Sequence, residues 1–194
     1  MATHSSPARL DPTDRNRVWC YDDLAAIPDD RNRYEIIDGE LLVSPAPRVT
    51  HQTIVKHLLL LLHHVLERPG HATVFAAPLD VVLGPRRVVQ PDLVVLRSAR
   101  RSQLTDLGFM GAPDLVVEVL SPSTAKVDRG RKQALYGEVG IGEYWIVDSA
   151  KMTLEVLTPD AAGVMQLRGT YGASDTAHSP TFGFTFAVAD VFAD

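Results

Sequence analysis

The 194-residue sequence predicts an α+β domain built on a mixed central β-sheet flanked by helices. Three observations point there. Two β-branched apolar runs, over residues 88–96 and 114–120, have the composition of buried strands. Ile54, Val55, Leu58, Leu59, Leu62, Val65 and Leu66 recur at helical spacing and give a stripe wide enough to pack on a sheet. An Asp38-Gly39 pair between apolar segments marks a hairpin. Strands and helices that do not alternate regularly make an α+β domain rather than a doubly wound one.

Taken in order, residues 1–17 are polar with Pro and Ser and read as a loose arm, leaving 18–194 as one domain. A short helix is expected over 18–27, with Asp22 and Asp23 in its first turn. The hairpin spans 34–43 and carries Glu35 in its first strand. Thr50 is placed to cap a helix that runs to about Leu66 and stops before Pro69-Gly70. His51, His57, His63 and His64 lie on that helix, but their spacing lacks the i, i+4 zinc pair with further ligands nearby, which favours exposed or capping roles. Residues 73–83 read as one strand carrying Asp80, and a Gly84-Pro85 turn leads into the run of 88–96. After a looser bridge over 97–112 and the second run, Ser121-Pro122-Ser123-Thr124 stops the strand. A helix follows over 128–139, with Leu135 and Val139 on one side and Lys132 a turn after Asp128. Strands over 143–147, 152–157, 167–170 and 182–188 close the chain, and no internal repeat is present.

Composition is ordinary, 45% hydrophobic and 22% charged, which excludes a disordered or fibrous chain. A single cysteine, Cys20, forbids an internal disulfide and suits a reducing cytoplasm. The Leu58–Leu62 run is too short to span a bilayer, and no apolar leader opens the chain. A net charge of −5 argues against coating nucleic acid through bulk charge. Local basic clusters nevertheless flank the apolar runs: Arg86 and Arg87; Arg97, Arg100 and Arg101; Lys126, Arg129, Arg131 and Lys132.

Each apolar run contains one acid that burial alone disfavours: Asp92 in the first, Glu118 in the second. On neighbouring strands the two would face one another. Like charges ~4 Å apart repel by ~4 kcal/mol at an effective dielectric of 20, a large share of a domain's stability. A divalent cation between them would remove that penalty. Blander readings stay open: Asp92 after Pro91 can edge a strand, Lys132 can snorkel or pair with Asp128, and Tyr136, Tyr144 and Trp145 suit a core better than base stacking.

Tyr34-Glu35-Ile36-Ile37-Asp38-Gly39-Glu40, Gln90-Pro91-Asp92, residues 117–124 (Val-Glu-Val-Leu-Ser-Pro-Ser-Thr), Lys132 with Tyr136, and residues 143–148 (Glu-Tyr-Trp-Ile-Val-Asp) together resemble the Uma2 family of endonucleases over about residues 20–190. Any one motif is weak, but five in this order are specific. The resemblance implies a restriction-endonuclease-like fold and a PD-(D/E)xK nuclease site. Asp92 and Glu118, with the main-chain carbonyl of Val119, would then hold Mg²⁺ or Mn²⁺. Leu120 stands where that pattern has lysine; the resemblance suggests a lysine migrated to the next helix, with Lys132 the natural candidate and Lys126 the weaker one. Glu35 resembles the additional acid of many such nucleases. A desolvated Lys132 beside a metal would titrate low and could orient the attacking water.

The expected function is metal-dependent hydrolysis of DNA phosphodiester bonds in the cytoplasm, with a homodimer as the simplest route to cutting two strands. The alternative is a catalytically silent nuclease-fold module that binds nucleic acid or regulates. A hydrolase of another phosphate ester is a third, weaker option.

Overall fold

Proline has no N–H to give a β-ladder, and at Pro91 the apolar run of 88–96 leaves one sheet and enters another. The computed structural model describes residues 9–193; the first eight residues of the expected arm and Asp194 lie outside them. Among the described residues are two six-stranded sheets and a two-stranded hairpin.

The first sheet runs, in spatial order, β2 (Glu40–Ser44), β1 (Arg33–Ile37), β5 (Arg87–Val89), β4 (Val81–Gly84), β8 (Gly108–Met110) and β7 (Leu104–Thr105). The second runs β12 (Met165–Gly172), β11 (Thr153–Pro159), β10 (Glu143–Asp148), β9 (Leu115–Val119), β6 (Leu93–Arg97) and β3 (Ala72–Ala76). β9 and β10 are parallel, while β6 is antiparallel to both β9 and β3, so the second sheet is mixed as expected. The hairpin is β13 (Thr176–Ser179) with β14 (Phe184–Ala187).

The expected single strand over 73–83 is likewise two strands in different sheets, β3 and β4, parted at Pro78. Asp80 therefore sits in the connection, where its side chain accepts from Gln90 Nε2 at 2.7 Å. The Asp38-Gly39 turn forms as expected, with both residues at positive φ, +54° and +84°.

Helices lie where the apolar spacing puts them, with shifted ends. α1 covers only Tyr21–Leu24, closed by Asp23 accepting from the Cys20 N–H. α2 spans Val49–Leu62 and continues through a π turn at His63–Glu67; it starts after Arg48 rather than from a Thr50 cap. The last helix begins earlier than expected: α3 (Ala125–Val127), a π turn over Asp128–Lys132, then α4 (Gln133–Glu138). No helix of the described residues is long and apolar enough to cross a membrane.

The strand period of two sorts the core. Leu93, Val95, Leu115, Val117, Trp145 and Val147 face α2 and the hairpin. Val94, Val116, Ile146 and Tyr144 face α4 and the first sheet. Glu143 ties the hairpin down from full burial, accepting from Trp145 Nε1, Ser179 Oγ and the Thr181 N–H. Leu10 donates its N–H to Ala26 and packs on the Trp19 cluster.

Candidate functional site

β6 and β9 pair antiparallel, Leu93 opposite Val117. One step further along this register brings Asp92 opposite Glu118, and directly opposed residues on one face lie about 4.5–5.5 Å apart at Cβ. Parity puts both on the face shared with Val94 and Val116. Both line one cavity of about 630 Å³, together with Glu35, Lys132 and Val119. The sequence-predicted site residues are thus brought together from β1, the Gln90-Pro91-Asp92 link, β9 and the π turn.

Their surroundings are dry. Asp92, Glu118, Glu35, Asp128 and Lys132 are 1–3% exposed. Lys132 Nζ donates to Glu118 Oε1 at 2.8 Å and stands 2.8 Å from Glu35 Oε1 and 3.5 Å from Asp128 Oδ1. The Tyr136 hydroxyl donates to the same Glu118 oxygen at 2.9 Å. Asp128, Lys132 and Tyr136 recur every four residues, which stacks them on one helix face. Glu35 Oε1 also accepts the Gln90 N–H at 2.7 Å, pinning the first sheet to the link that carries Asp92. Asp92 Oδ2 accepts from the Val119 N–H at 2.8 Å and lies 3.0 Å from His51 Nε2; Oδ1 accepts from Arg33 at 3.0 Å.

These contacts set the acidities. Burial alone would push the Lys132 ammonium down, but Glu118, Glu35 and Asp128 outweigh it and hold the lysine well above its ordinary value. Three carboxylates surround the lysine, and with no ion among them they favour its charged form. Burial drives Glu118 well above the usual carboxylate range, and the nearby Asp128, Asp92 and Glu35 charges add to the rise against the pull of Lys132. Asp92 goes the other way. Its burial is outweighed by the His51 hydrogen bond and the Arg33 charge, which leave it below the ordinary range. Burial raises Asp128, opposed by Lys132, and raises Tyr136 well above normal, reinforced by Glu118.

The family described as "Uma2: Putative restriction endonuclease" matches residues 21–189. The chain belongs to the Uma2 family. A curated relative, the uncharacterized protein slr1290 of Synechocystis sp., is 28% identical over 164 residues, covering 84% of either chain. Among solved structures, the Uma2 chain is similar to a "putative nuclease belonging to DUF820" from Anabaena variabilis, with a TM-score of 0.73 and 20% identity over 90% of this chain and 98% of that one. That likeness supports the restriction-endonuclease-like fold.

Several residues of the Uma2 site carry no signal in sequence. His51 reads as a helix-start histidine, yet its side chain is only 13% exposed and meets Asp92. Arg33 falls just before the expected hairpin and bears no motif, and Asp128 reads as a pairing partner for Lys132. Tyr136 is already part of the family motif with Lys132, and the four-residue period of Asp128, Lys132 and Tyr136 is the pattern from which Asp128 could have been found. The basic flanks, by contrast, are largely spent on protein carboxylates: Arg87 on Asp38 and Glu138, Arg129 on Glu155, Arg131 on Glu40, and Arg97 and Arg100 on Asp114.

Proposed function

We propose that this chain is a divalent-metal-dependent endonuclease that hydrolyses DNA phosphodiester bonds, with Asp92 and Glu118 as metal ligands. One observation carries the reading. Four buried carboxyl groups, Glu35, Asp92, Glu118 and Asp128, face two permanent cations, Arg33 and Lys132. Two negative charges are left uncompensated in a dry site, the charge of one Mg²⁺ or Mn²⁺. The same crowding of buried acids pushes Glu118 above the usual carboxylate range.

The donor set suits a hard cation. Among the described residues no three His, Cys, Asp or Glu side chains form a ready cage, but Mg²⁺ binds through one or two carboxylates and keeps several waters. The main-chain carbonyl of Val119, on the cavity wall, is a further oxygen donor in this reading. When bound, the ion supplies an acidified water and offsets charge on the phosphate. Asp92 would bind after releasing His51 or Arg33, and Arg33 would then be free to meet the substrate phosphate. Lys132, its Nζ between Glu35 and Glu118, would stabilise charge that develops on the phosphorus oxygens. Glu35 is a positioning residue, since it fixes both Lys132 and the Gln90 N–H.

The test is cleavage of plasmid DNA by the purified chain in Mg²⁺ or Mn²⁺, beside Asp92→Ala and Glu118→Ala. Turnover lost in both variants and in EDTA is expected. Cleavage that survives either substitution unchanged refutes the site. DNA binding with no metal affinity and no turnover would mark a silent module instead.

A further inference from the structure

The cavity is small for its expected substrate. Its volume of about 630 Å³ falls in the range of a small-molecule site, and the acids on its floor are almost wholly buried. A B-form duplex docks on broad surfaces of about 1,000–2,500 Å². Both lips carry proline. One is the segment leading into α2, with Pro45 and Pro47; the other is the segment after β9, with Pro122. Proline fixes φ, so neither lip parts cheaply.

Charge is distributed to suit one phosphate chain. The floor's excess negative charge is no more than one ion would cancel, so the grip on the rest of a polyanion must come from cations higher up. Of the two arginines that line the cavity, Arg33 is bound to Asp92. Arg48, exposed on the α2 lip, has no carboxylate within ion-pair distance among the described residues. The same holds for Lys126, exposed beside Ala125 at the opposite lip, though not itself among the residues that line the cavity. No Phe, Tyr or Trp lines the cavity, so the grip must come from charge rather than base stacking.

We propose that the cleft takes a single nucleic-acid strand rather than an intact duplex, held by its phosphates between Arg48 on one lip and Lys126 on the other. This rests on the nuclease reading above and specifies the substrate class of the same site. One strand needs one site, so a twofold pair is not required for cutting.

The test uses the full-length chain in Ca²⁺, with a labelled 12-nucleotide single strand and its duplex followed by fluorescence anisotropy over a KCl series. The single strand is expected to bind at least about tenfold tighter. The slope of log affinity against log salt should fall by about 0.7 in Arg48→Ala and again in Lys126→Ala, the value for one phosphate contact on a single strand. Arg101→Ala, at the far end of β6 from Asp92, should leave the slope unchanged. Duplex binding as tight as the single strand overturns the proposal, and so do slopes that neither lip variant moves. Metal-dependent cleavage of a duplex with no single-strand preference overturns this inference alone. Tight single-strand binding without cleavage of either substrate keeps it and overturns the nuclease reading.

Discussion

Replacing Lys132 with methionine would remove the one cation that three buried carboxylates share. Methionine keeps most of the aliphatic volume, so the cost is electrostatic rather than a cavity. Nζ stands 2.8 Å from Glu118 and Glu35 and 3.5 Å from Asp128. Removing one partner of a buried ion pair costs about 3–5 kcal/mol, because the other charge is left stranded. For a chain of this length each kcal/mol lowers Tm by about 2–4 °C, so a fall of about 6–20 °C is expected. The deficit must also depend on pH. Burial already raises Glu118 and Asp128, and losing Lys132 raises them further, so the native variant binds more protons than its unfolded chain near neutrality. Stability then falls as pH rises and recovers on acidification. Urea unfolding at pH 7 and pH 5, wild type beside variant, measures both. A loss below about 1 kcal/mol at pH 7, or a deficit that grows toward pH 5, would refute the shared-cation picture.

Further expectations follow from neighbouring contacts. Tyr136→Phe deletes a 2.9 Å donor to Glu118 and should cost about 1.5–3 kcal/mol, the range for a hydrogen bond to a charged group, read from the urea midpoint. Glu143→Leu orphans the Trp145, Ser179 and Thr181 donors at about 1–3 kcal/mol each; limited proteolysis should then cut near the β13–β14 hairpin before the rest. Arg33→Met removes a charge that keeps Asp92 below its ordinary range. A lowered carboxylate stabilises above its unfolded value and loses that contribution as pH falls through the folded one, so the deficit of Arg33→Met should be largest at pH 6–7 and shrink below about pH 4.

Much of this architecture is legible in sequence because its signals are local. Asp38-Gly39 specifies its turn, the stripe from Ile54 to Leu66 specifies α2, and the period of two places Glu118 on a definite face. The meeting of Asp92 and Glu118 is readable too, since each β-branched run carries one acid and pairing the runs brings the two together. What stays hidden depends on contacts distant in sequence. Nothing local distinguishes Pro78 and Pro91 as crossings between sheets from prolines that merely begin a strand. Arg33 and His51 become site residues only because β1 and α2 converge on the link between β5 and β6. The acids gathered around Lys132 are hidden for the same reason: Glu35 lies nearly a hundred positions away in the chain.

The link made of Gln90, Pro91 and Asp92 has no slack. Glu35 grips one end through the Gln90 N–H, and Val119 grips the other through the Asp92 carboxylate. One inserted residue would slide Asp92 by about 3.3 Å along its strand, past both anchors and onto the wrong side of the sheet. Length variation among related chains should therefore gather in places such as the turn between β11 and β12 and be barred from this three-residue span.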